Sequence, residues 1–86
     1  MGDHDLVEII EGALLAAGEP LSKKQLAQLF DELDRPSTSD ITAALAEVAE
    51  RCDGRGFELA EVASGFRFQV RQNLSPWVSK LWVERP

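Results

Sequence analysis

The residues able to do chemistry in this chain are few and scattered. His4 is the only histidine, set between Asp3 and Asp5 near the amino terminus. With no second imidazole to complete a catalytic or metal constellation, it reads as a solvated residue. Cys52 is the only cysteine. Alone it makes neither an internal disulfide nor a thiolate zinc site, and its place on a helical apolar face predicts buried packing rather than reactivity. Asp31, Glu32 and Asp34 cluster at a helix end without the spacing or glycine of a calcium loop, so they read as a solvated acidic face. Gly54-Arg55-Gly56 precedes a strand pattern instead of opening a helix, which does not suit a phosphate-binding loop. No Ser-His-Asp or Cys-His set can be assembled. The expectation is a non-enzymatic protein with no catalytic, metal or cofactor residues.

Charge is the next constraint. The 86 residues hold 15 acidic and 9 basic side chains, a net charge of −6. The imbalance is local: Met1 to Gly54 has 4 basic and 12 acidic residues, −8, whereas Arg55 to Pro86 has 5 and 3, +2. Any basic face lies on the carboxyl-terminal third. There Arg67 and Arg71, with Gln69 and Arg55, are the candidates for a weak nucleic-acid backbone contact, against the plainer reading of a solvated strand face balancing Glu58.

The elements that position these residues follow from periodicity. Leu6, Ile10, Ala13, Leu14 and Ala17 recur at helical spacing, Val7 and Ile9 widen the stripe, and Gly18 supplies a left-handed stop. Leu15 falls on the opposite side with Glu8 and Glu11, which suggests a second surface to cover. Acidic residues precede the apolar run Ile9 to Ala17, so it is no export signal; it is also too short to span a bilayer, and a cytoplasmic location is expected. Ser22 with Gln25 forms a capping box for a second helix whose expected core stripe is Leu26, Leu29, Phe30 and Leu33. The Glu19-Pro20-Leu21 segment before it is extended and suited to a short strand.

Pro36 breaks the chain, Ser37 or Ser39 caps a third helix, and its buried stripe is Ile41, Ala44 or Leu45, Val48 and Cys52. FELAEVASGFRFQVR, Phe57 to Arg71, alternates as a hairpin. With Ser64-Gly65 as its turn, Ala63 pairs with Phe66, Glu61 with Phe68, Leu59 with Val70, Val62 with Arg67 and Glu58 with Arg71. Phe57, Leu59, Phe66, Phe68 and Val70 then share the core face, with Glu61 among them. Ser75-Pro76 opens a last helix containing Trp77, Val78, Leu81, Trp82 and Val83. Core packing is the first expectation for each tryptophan and a partner surface the second, because a domain this small does not bury both fully.

Three helices followed by a hairpin and a further helix make one domain, residues 1–86, of the α+β class: a winged helix with a helix-turn-helix core, a β-hairpin wing and an extra carboxyl-terminal helix. A winged helix usually binds DNA through its third helix. Here that helix offers Asp40, Thr42, Ala43, Glu47, Glu50 and Arg51 on its outer side, and its carboxylates oppose phosphate. Base readout is therefore not expected.

IIEGALLAAGEPLS (Ile9 to Ser22), QLAQLF in helix two, DGRGFELAEVASGFRFQVR and SPWVSKL together resemble the N-terminal domain of the segregation and condensation protein B (ScpB) family. The resemblance covers nearly the whole chain and rests on the joint order and spacing of these pieces. It implies a non-enzymatic accessory subunit of the bacterial SMC condensin complex, nucleoid-associated, that forms homodimers and binds the kleisin subunit ScpA and, through it, SMC. It also implies a second winged helix beyond Glu84-Arg85-Pro86, where a linker is expected. Leu15, Trp77 and Trp82 are the candidate dimer contacts. Ala16 stands where the resemblance implies a larger apolar residue, which points to weaker association. The alternative reading is a DNA-binding transcriptional regulator.

Overall fold

A computed structural model describes residues 3–82, with side chains from Leu6 onward. The expectations for the side chains of Asp3, His4 and Asp5, for Val83 and for the Glu84 to Pro86 segment lie outside the described residues. Helix α1 spans Asp3–Ala17 and stops at Gly18, whose φ of +73° is left-handed as predicted. Val7, Ile10 and Leu14 are buried, and Leu6 and Ala13 pack half-buried against them. Ala17, expected in that stripe, is exposed.

Helix α2 is Lys23–Ala27, and both arms of its capping box form: Ser22 Oγ accepts from the Gln25 amide at 3.1 Å and Gln25 Oε1 from the Ser22 amide at 2.9 Å. The four-residue core stripe does not form. Leu26 is fully buried and Phe30 half-buried, but Leu29 is 55% and Leu33 98% exposed. After Ala27 the amides of Leu29 and Phe30 donate three residues back, to Leu26 and Ala27, and the chain turns through Glu32–Asp34. Arg35 Nη2 donates to the Phe30 carbonyl at 3.1 Å and closes the turn. A helix this short depends on tertiary packing, and past Leu26 the core offers Leu29 and Leu33 nothing to pack on.

Helix α3, Thr38–Arg51, is capped by Ser37 rather than Ser39, because Asp40 three residues on completes a capping box. Its stripe Ile41, Ala44, Leu45, Val48 and Cys52 is buried as predicted. Ile10, Leu26, Ile41 and Val48, from all three helices, form the fully buried centre, each side chain contributing about 1.5–3 kcal/mol.

Strands β1, Phe57–Val62, and β2, Gly65–Val70, form the hairpin over this core through Leu59, Phe66 and Phe68. The register differs from the expected one by two residues. Val62 pairs with Gly65, Glu61 with Phe66, Leu59 with Phe68, Glu58 with Gln69 and Phe57 with Val70, so the loop is Ala63-Ser64. A shift of two preserves which residues share a face. Gly65 is not a turn residue: its φ is +145°, and a Cβ there would overlap the Leu21 carbonyl group. Leu21 forms the expected short strand as a single bridge to Phe66.

The last described segment is the turn Gln72–Leu74, the one-turn helix α4, Ser75–Val78, with Pro76 as its second residue, and the turn Ser79–Leu81. The core does not absorb the tryptophans: Trp77 is 67% and Trp82 73% exposed. In urea unfolding, Leu26→Ala is expected to cost about 2–5 kcal/mol. Gly65→Ala should also destabilise clearly, whereas Leu33→Asp should stay within about 0.5 kcal/mol.

Candidate protein-interaction surface

Helix α3 occupies the position from which a winged helix reads DNA, but its outer chemistry is wrong for phosphate. Arg51 is the single basic residue on it, and its Nε is bound to Glu47 at 3.3 Å. Asp40 serves the amino-terminal cap, and Glu50 and Asp53 are exposed at the other end. Between these polar groups the solvent side carries Ala43, Ala46 and Ala49, all exposed. Interleaved with exposed Thr42, Glu47 and Glu50, these methyl groups offer no hydrogen-bond donor to a base edge.

The structure gives Arg67 and Arg71 different surroundings. Arg71 donates through Nε to the Arg55 carbonyl and through Nη2 to the Cys52 carbonyl, both at 2.8 Å, and through Nη1 to Glu58 at 3.2 Å. Gln69 Nε2 holds the other Glu58 oxygen at 3.1 Å. One guanidinium thus ties the carboxyl end of α3, where the helix dipole favours a cation, to the base of the hairpin. In the observed register the Glu58 pair is diagonal, not directly opposed, and both side chains are about one-third exposed, 31% and 35%. Arg67 is exposed opposite Ala60, and its side chain makes no hydrogen bond or ion pair among the described residues.

Leu15 is 69% exposed and borders a groove of about 480 Å³ between the end of α1, Glu19-Pro20 and the Arg67 to Gln69 stretch of β2. Trp77 and Trp82 lie elsewhere, on the segment after the hairpin. Leu81 on the same segment, and Phe57 and Val70 at the hairpin base, are also exposed. Phe57 also meets Phe68 edge to face at 5.3 Å. A further groove, of about 340 Å³, separates α3 from the hairpin, floored by Leu45, Leu59 and Phe66. Sequence reasoning missed this groove. Its one signal was Glu61, an acid in an otherwise apolar strand face.

The family model of the segregation and condensation complex subunit ScpB matches residues 8–86. The chain belongs to the ScpB family. It is 49% identical over 78 residues to the segregation and condensation protein B homolog of Coxiella burnetii, covering 91% of this chain and 37% of that protein. With segregation and condensation protein B of Bacillus subtilis it shares 38% identity over 79 residues, 91% of this chain and 39% of the relative. The chain therefore spans roughly two-fifths of the length of these relatives.

Among solved structures it is similar to the dimer of the ScpB N-terminal domain complexed with ScpA peptide, with a TM-score of 0.78 and 28% identity over 91% of this chain and 95% of that one. ScpB from Mycobacterium tuberculosis gives 0.79 at 25% identity, covering 94% of this chain and 49% of that structure. The winged-helix α+β fold and the family expected from the motifs are both established by these matches. Among the described residues no helix is long and apolar enough to cross a membrane.

The Arg71 clamp has a direct test. Lysine keeps the charge but offers its donors from one nitrogen, which cannot replace a planar fork whose Nε, Nη1 and Nη2 each meet a different acceptor, so Arg71→Lys should lower unfolding free energy by about 1–3 kcal/mol. Arg67→Lys should change it by less than about 0.5 kcal/mol.

Proposed function

We propose that this chain is the N-terminal winged-helix domain of a non-enzymatic accessory subunit of the SMC condensin complex, acting in chromosome condensation and segregation. In this reading it homodimerises, binds the kleisin ScpA and reaches SMC through it, in the cytoplasm at the nucleoid. A second winged helix completes the whole protein. The observation that carries the proposal is the match to nearly the full length of a solved ScpB N-terminal domain, a dimer holding an ScpA peptide. An acidic, alanine-bearing α3 favours protein over DNA as its partner, so direct DNA contact is weak or absent and confined to the Arg67 strand.

The dimer contact draws on Leu15, Trp77 and Trp82, which are large apolar groups left to solvent. A tryptophan can bury about 150–250 Å². Two of them with a leucine supply a large part of the roughly 800 Å² per partner typical of a specific interface. Ala16 beside Leu15 is also exposed and adds little area.

Sedimentation equilibrium of the chain tests this. Wild type should be dimeric at micromolar concentration, and Leu15→Glu and Trp82→Glu should each shift it toward monomer with folding intact. A wild-type monomer at high micromolar concentration contradicts dimerisation; a dimer unaffected by either substitution contradicts the assigned contact.

A further inference from the structure

We draw no further inference here: the strongest candidate, the exposed apolar segment after the hairpin that carries Trp77 and Trp82, belongs to the dimer contact already proposed, and nothing in the structure shows what else covers it.

Discussion

Leu21 runs so close to Gly65 that any Cβ there would overlap its carbonyl, and one residue on, Leu21 and Phe66 exchange amide hydrogen bonds of 2.9 and 2.7 Å. This contact joins the connection between α1 and α2 to the second strand of the hairpin. It fixes the hairpin register, since Gly65 has to meet Leu21 and cannot serve in the loop. It also sets Phe66 beside the amino end of α2, which is how Lys23 comes to lie over its ring. The wing-side wall of the groove is a consequence of that one close approach.

Arg71 holds the other end. Its guanidinium spans the Cys52 and Arg55 carbonyls and Glu58, so the hairpin base is fixed to the carboxyl end of α3 as its tip region is fixed to Leu21. A helical core whose fully buried centre is four side chains gains most from such backbone ties at the rim. The cation that sequence alone offered to a phosphate is spent on the fold, and the surface charge that remains is mostly negative.

Features set by chemistry within a few residues were legible in the sequence. Ser22 with Gln25, the α3 stripe, the stop at Gly18 and burial of Cys52 all follow from short-range spacing. Features set by what lies opposite in space were not. Leu29 and Leu33 carry helical periodicity, but Leu26 ends the available core, so the stripe was read too far. Ser64-Gly65 has turn composition, and only the passage of Leu21 shows why the glycine is needed one position later. Arg71 was read through its charge, whereas three acceptors from separate elements define its role. Trp77 and Trp82 sit in an apolar segment that periodicity cannot distinguish from core. Family membership was legible because the joint order of motifs is more specific than any one of them.

The conflict between a DNA-reading scaffold and an acidic surface resolves on α3, where Glu47 takes up Arg51 and exposed alanines replace the donors that base edges require. In the function proposed above, this winged helix recognises protein. Parallel fluorescence-anisotropy titrations of the chain with a cognate ScpA peptide and with duplex DNA, from about 50 to 200 mM salt, test it most directly. Peptide binding should be saturable and persist across the range, with duplex affinity no tighter than the non-specific span of about 10⁻⁴–10⁻⁶ M. Duplex binding at about 10⁻⁸ M or tighter, falling steeply with salt, would contradict it.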